Sequence, residues 1–150
     1  MIYIQRDVFN VQEALSSITE GRCDIGGIGL FMGVVRDMNA GRPITQMVLE
    51  HYPGMTEKTL ARMEAEARQR WVLDDCLIIH RYGLLTLGDP IVLIITAAKQ
   101  RQPAIEACAF LADTLKVQAP FWKQESDGEH KRWVDSRPED HAAAERWEKP

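Results

Sequence analysis

Lys116 and Lys123 stand seven residues apart, on either side of the proline-aromatic break Ala119-Pro120-Phe121-Trp122. Lys116 falls late in a stretch of helical periodicity, at the edge of its apolar stripe. Proline has no N–H for a continuing helix and excludes the helical region for the residue before it, so the chain must turn between the two lysines. That turn lets both ammonium groups reach one pocket, which lysines on opposite faces of one straight helix could not do. Two cations in a concave site imply an anionic ligand, or a lysine held partly neutral by its neighbour. The rings of Phe121 and Trp122 would shelter Lys123 from water. Glu125, two residues on, shares a strand face with Lys123 and could orient it. The bland alternative for Lys116 is a side chain snorkelling along the core edge.

Other cations extend the case. Arg36 closes an apolar strand and opens a polar loop, Arg36 to Pro43, where a guanidinium is either an anion ligand or an ordinary solvated charge. Arg101 precedes Pro103 and a helix start, where unpaired backbone N–H groups would help hold a phosphate. Lys99 and Arg81 could add to that surface. Glycines at 26, 27, 29 and 33 miss the dinucleotide spacing, because Met32 occupies the third glycine position, and no GK[ST] follows. They read as a packed strand with close backbone neighbours. His51 and His80 sit in apolar strands and read as structural histidines. No HExxH, GxSxG or CxxC pattern supports a metalloprotease, a serine hydrolase or a zinc site.

The elements that must position these residues follow from periodicity and punctuation. A helix starts at Asn10, with Glu13 as capping-box partner, and ends at Gly21. A buried strand is expected over Ile25 to Val35, and another over Gln46 to Tyr52 before the Pro53-Gly54 turn. Thr56 caps a second helix with Leu60, Met63, Ala67 and Trp71 on one stripe. Strands at Cys76 to Tyr82 and Ile91 to Thr96 flank Gly88-Asp89-Pro90. A third helix begins near Pro103, buries Ile105, Cys108, Ala109, Ala112 and Leu115, and stops before Pro120. Phe121 to Glu125 and Arg132 to Asp135 pair as a hairpin around Asp127-Gly128, and Pro138 to Trp147 forms a short final helix. Strands and helices mix without a strict βαβ repeat, so the expected class is α+β, one domain over residues 1–150.

Composition bounds the function. An apolar fraction of 45% and a charged fraction of 27% are those of a globular chain with a real core. A net charge of −4 gives no global case for nucleic acid. Cys23, Cys76 and Cys108 are odd in number and far apart, which favours a reduced cytoplasmic setting. No apolar run is long enough to span a bilayer, and no secretory leader pattern opens the chain.

Gly33-Val34-Val35-Arg36, Glu50-His51-Tyr52-Pro53-Gly54-Met55, His80-Arg81-Tyr82-Gly83 with Gly88-Asp89 downstream, Leu115 to Glu125, and Arg132-Trp133 together resemble the large catalytic subunit of molybdopterin synthase. The motifs run in order from about residue 25 to 135. The resemblance implies an α+β fold of the α/β-hammerhead kind, with a mixed or antiparallel sheet, three main helices and a C-terminal hairpin. It implies a sulfurtransferase that inserts two sulfurs into cyclic pyranopterin monophosphate to make the molybdopterin dithiolene, with no metal or cofactor of its own. Sulfur would arrive as a thiocarboxylate on the Gly-Gly C-terminus of a small ubiquitin-like partner, in a heterotetramer built on a homodimer of the large subunit, with neither nucleic acid nor membrane involved. By the same resemblance Lys116 and Lys123 are the catalytic lysines. Arg36 lies at the substrate beside Val34 and Val35, and Gln124 and Glu125 complete the second lysine's segment. Gln100-Arg101 hold the positions of the family's His-Arg pair, so Arg101 can still bind phosphate while an imidazole there is lost or supplied elsewhere. That departure leaves two rival readings: a family scaffold that binds its partner with little turnover, or a module that binds a phosphate ligand.

Overall fold

Two four-stranded sheets and four helices make up the chain, whose computed structural model describes residues 1–148. The first sheet has the order β1 (Ile2–Gln5), β6 (Asp75–Arg81), β8 (Pro90–Ala98), β2 (Gly27–Val34). Its β1–β6 pair is parallel and the others are antiparallel. The second sheet is antiparallel throughout, with the order β10 (Lys131–Val134), β9 (Phe121–Ser126), β5 (Gln46–His51), β7 (Gly83–Thr86). A two-residue hairpin, β3 (Met38–Asn39) with β4 (Arg42–Pro43), projects between β2 and β5. The α+β class and the C-terminal hairpin are therefore as expected; β7 is an element the sequence pattern did not disclose. Among the described residues no helix is long and apolar enough to cross a membrane.

Period-two alternation divides the first sheet's side chains between two cores. Leu77, Ile79, Leu93 and Ile95 face α1 (Val11–Thr19), which contributes Ala14 and Ile18. Ile78, Val92 and Ile94 face α2 (Met55–Arg70) and α3 (Arg101–Gln118), which contribute Leu60, Met63, Phe110 and Leu111. The Asn10 side chain accepts from the Glu13 N–H at 2.9 Å, so α1 starts where its capping signal lies. Helix α2 begins one residue before Thr56. Its cap is Gly54 at φ 86°, whose N–H donates to Glu57 at 2.6 Å, while the buried Thr56 hydroxyl turns back to the Tyr52 carbonyl at 2.8 Å.

Two expectations are corrected. Helix α3 does not bury Ile105, which is 58% exposed. It is packed on two sides, against the sheet and against α2 and α4 (Pro138–Glu145), so Ala104, Ala107 and Phe110 carry the contact and a single-stripe reading slips by one residue. Nor is β2 buried on both faces. It is an edge strand, paired only with β8, and Ile28, Leu30, Met32 and Val34 are each 42–47% exposed on one side.

The glycines of β2 serve close packing, as their pattern implied. A Cβ at Gly29 would collide with the Ala104 carbonyl oxygen and press on Cys108, so α3 can lie this low on the sheet only because Gly29 has no side chain. Gly29→Ala is expected to cost about 1–3 kcal/mol, because helix backbone rather than a flexible side chain must move. Urea denaturation should show a lower midpoint at unchanged slope; an unaltered midpoint would mean that the helix has slack.

Candidate active site

Pro120 ends α3 in the way its chemistry requires. Ala119 leaves the helical region at φ −70°, ψ 131°, its N–H still donating to the Leu115 carbonyl at 3.3 Å. The Phe121 N–H then closes onto the Ala119 carbonyl at 2.8 Å and β9 begins. Lys116 thus sits in the last turn of α3 and Lys123 is the third residue of β9. Both line one cleft of about 250 Å³, together with Val34, Arg36, His80 and Glu125. The convergence expected from the proline break is what the fold delivers. Their settings differ: Lys116 is exposed at the rim, not tucked into the core edge, whereas Lys123 is partly buried.

Arg36 is carried to the cleft by the projecting hairpin. Ala40 (φ 52°) and Gly41 (φ 76°) form its left-handed tip, a conformation easy for glycine and strained for alanine. Asn39, one residue before the tip, is buried and donates from Nδ2 to Glu125 Oε1 at 2.7 Å. Arg132, from β10, donates to the same oxygen at 3.5 Å and to the Asn39 carbonyl at 3.4 Å. Glu125 is 3% exposed, and its carboxylate ties the loop bearing Arg36 to the strand bearing Lys123. Glu125 shares a strand face with Lys123 and its charge favours the ammonium, while its hydrogen bonds go to Asn39 and Arg132.

Four cations, Arg36, Lys116, Lys123 and Arg137, line the cleft against three carboxylates, Glu125, Asp135 and Asp140. Burial, then the neighbouring Lys116 charge, pushes the Lys123 ammonium below its ordinary value. An arriving anion would offset that penalty. His80 also faces the cleft from β6, its ring stacked on Phe121 at a centroid distance of 3.7 Å and 15° between planes. Desolvation holds its pKa down at about 4, so it adds no positive charge near neutral pH. No cysteine lines the cleft, and burial raises the thiols of Cys76 and Cys108 to about 12 and about 11. Among the described residues no group of three or more acidic, histidine or cysteine side chains could hold a metal ion.

Several residues marked in the sequence lie elsewhere. Val35 is 2% exposed and packs with Met47, Leu49 and Leu85, because alternation turns it away from Val34. Gln124 takes the opposite face of β9 from Lys123 and Glu125, opposite Trp133 and Val48. Gln100 and Arg101 cap and start α3 beside Gly27, at the far end of β2 from Val34. An eight-residue strand at about 3.3 Å per residue separates them from Arg36 by roughly 25 Å. Arg81 is buried and donates to the carbonyls of Arg6 at 3.1 Å and Pro90 at 3.0 Å, and Lys99 pairs with Asp74 at 3.1 Å, so neither faces an anion site. Asn39, His80, Arg137 and Asp140 were not marked for the cleft they line; the register of β6 with β8 and the placement of α4 bring them there, and no local spacing signals either.

The family model described as "MoaE protein" matches residues 4–118. A molybdopterin synthase catalytic subunit of Pseudomonas aeruginosa is 48% identical over 147 residues, covering 98% of each chain. The subunit of that name from Escherichia coli is 45% identical over 139 residues, covering 93% of this chain and 92% of its own length. The solved molybdopterin biosynthesis MoaE protein of Burkholderia ambifaria superposes with a TM-score of 0.85 at 42% identity, covering 100% of this chain and 99% of that one.

The depressed Lys123 has a stability consequence. Its folded-state pKa lies below the unfolded value of 10.5, so folding is opposed wherever the amine must be charged, and the penalty fades as pH rises toward and past 10.5. Lys123→Met, which keeps the stem and removes the charge, is expected to raise the melting temperature at pH 7, with a smaller gain at pH 10. A variant that melts lower at pH 7 would contradict a charge-strained lysine.

Proposed function

The chain belongs to the MoaE family of molybdopterin synthase catalytic subunits, sulfurtransferases of molybdenum cofactor biosynthesis, and from that premise we propose how its cleft does the work. The observation that carries the reading is the convergence of Lys116, Lys123 and Arg36 on one narrow cleft. The substrate is cyclic pyranopterin monophosphate, and the sulfur donor is the thiocarboxylate at the Gly-Gly terminus of a small ubiquitin-like partner. A glycine tail fits a cleft of this width because it has no side chains to exclude. Its anionic end meets Lys116 at the exposed rim, while Arg36 and the deeper Lys123 take the cyclic phosphate.

The thiocarboxylate sulfur forms a C–S bond to a substrate side-chain carbon as a C–O bond to the cyclic phosphate breaks. The charge that develops on the freed phosphate oxygen falls to Arg36 and Lys123. The tail is then joined to substrate as a thioester; attack on its carbonyl carbon, by water or by a lysine amine whose acyl product water later cleaves, leaves sulfur on the substrate and a carboxylate on the tail. Lys116, nearest that carbonyl, stabilises or supplies the attack.

Gln100 and Arg101 enter this scheme through a second copy. The free edge of β2 and its uncovered apolar side chains suit pairing with another β2. Antiparallel pairing sets the Gly27 end of one strand beside the Val34 end of the other, which would carry a second copy's Gln100-Arg101 toward this chain's Arg36. The homodimer is then a condition of activity rather than mere packing.

With thiocarboxylated partner and precursor supplied, Lys116→Ala and Lys123→Ala should each lower single-turnover product formation by about 10²-fold or more; wild-type rates in either would overturn the assignment, and no product from the unaltered protein would overturn the reading as a whole. Mixing inactive Lys116→Ala chains with inactive Arg101→Ala chains should restore activity, because a mixed dimer contains one intact composite site. Failure of exchanged mixtures to recover would place Arg101 outside the neighbouring site.

A further inference from the structure

His80 is the buried titratable group of the cleft that the scheme above leaves unused. Its two ring nitrogens are committed differently. Nδ1 lies 2.8 Å from the Arg81 carbonyl oxygen, an acceptor only, so Nδ1 carries the proton and Nε2 carries the lone pair. Nε2 has no hydrogen-bond partner among the described residues. It is also absent from the fully buried atoms lacking a partner, which among the described residues are confined to Asp74 Oδ2, so it opens to the cleft. The Phe121 stack clamps the ring from the side of β9, only two residues before Lys123. Lys116 lines the same cleft as the ring and its charge acts on the imidazole, but the two are not hydrogen-bonded in this structure. Beyond the ring and the Nδ1–H that donates to Arg81, the imidazole adds one fixed acceptor aimed into a cleft crowded with donors.

We infer that His80 is a positioning residue of the reaction, its Nε2 accepting a hydrogen bond from the Lys116 amine and holding that amine against the carbonyl of the partner's thiocarboxylate tail. The inference rests on the proposed sulfur transfer and deepens it. Lys116 stands exposed on a flexible stem, and a rim lysine without an anchor spends most of its time in water. An acceptor that cannot become a cation near neutral pH tethers the amine without repelling it. The same bond leaves the remaining N–H groups of Lys116, or its lone pair when neutral, directed at the tail. Neither Lys123 nor Arg36 needs His80 for its own task, so binding of the phosphate stays as it was.

The test separates an acceptor from a filler. His80→Phe keeps the stack on Phe121 and removes Nε2; His80→Gln loses the ring but returns an acceptor near the Nε2 position. In the sulfur-transfer assay His80→Phe should lower kcat by about tenfold, the worth of one hydrogen bond, with KM for the pterin substrate unchanged, and His80→Gln should recover part of the loss. Should His80→Phe not fold, His80→Asn serves in its place, since it retains a donor for the Arg81 carbonyl while withdrawing the Nε2 acceptor. Wild-type kcat in the Phe or Asn variant, or a His80→Gln variant no faster than either, would overturn the inference while leaving the lysine assignments intact. A melting temperature shifted without any change in kcat would return His80 to a purely structural role.

Discussion

Pro120 cannot donate to a helix, and its ring bars the preceding residue from helical dihedrals, so α3 ends at Gln118 and the chain reverses into a strand within two residues. The convergence of the two lysines depends on that stop. Helix α3 descends along the first sheet, held close by the bare backbone of Gly29, and delivers Lys116 in its final turn. The strand that leaves, β9, inserts into the second sheet between β5 and β10 and carries Lys123 back under the same helix end. The turn at Pro120 is one of the places where the chain passes between the two sheets, and the cleft forms beside it.

The cleft brings cations together, and nearby carboxylates offset their charge only in part. Glu125 is the buried carboxylate nearest the lysines, yet its short hydrogen bonds go to Asn39 and Arg132. An ion pair with Lys123 would quench the amine and compete with an incoming anion; tying the carboxylate to the Arg36 loop instead keeps Arg36 and Lys123 in fixed relation. His80 is held neutral by burial, so it brings polarity without further charge. Holding Lys123 partly buried disfavours its charged form, in the way that functional sites commonly break the rules that stabilise the rest of a fold.

The free edge of β2 is the second organising constraint. An unpaired, apolar edge strand is a liability for an isolated chain. Here it runs from the Gln100-Arg101 corner at Gly27 to the cleft at Val34, so the residues proposed to bind anions are divided between the two ends of one strand. In the proposed dimer a twofold along that edge would reunite them, which would let Arg101 belong to the chemistry while lying far from Lys116 in its own chain.

What was legible in the sequence is what local chemistry dictates. The proline break, the Asn10 cap, the glycines of β2 and the β9–β10 hairpin follow from side-chain sterics and hydrogen-bonding capacity over a few residues. So does the placing of Lys123 and Glu125 on one strand face, which needs only a period of two. The motifs at Arg36 and from Leu115 to Glu125 carried the family and with it the activity. Tertiary structure alone decided the rest, because each remaining point is a relation between distant segments. Val35 and Gln124 turned away from the cleft when strand register was set by partners a long way off in sequence. Glu125 was claimed by Asn39, 86 residues distant, rather than by its neighbour. His80 read as an ordinary core histidine until β6, β9 and the end of α3 closed around it and left one nitrogen open. Burial and partner choice are set by the sum of all packing contacts, and no window of a few residues contains that sum.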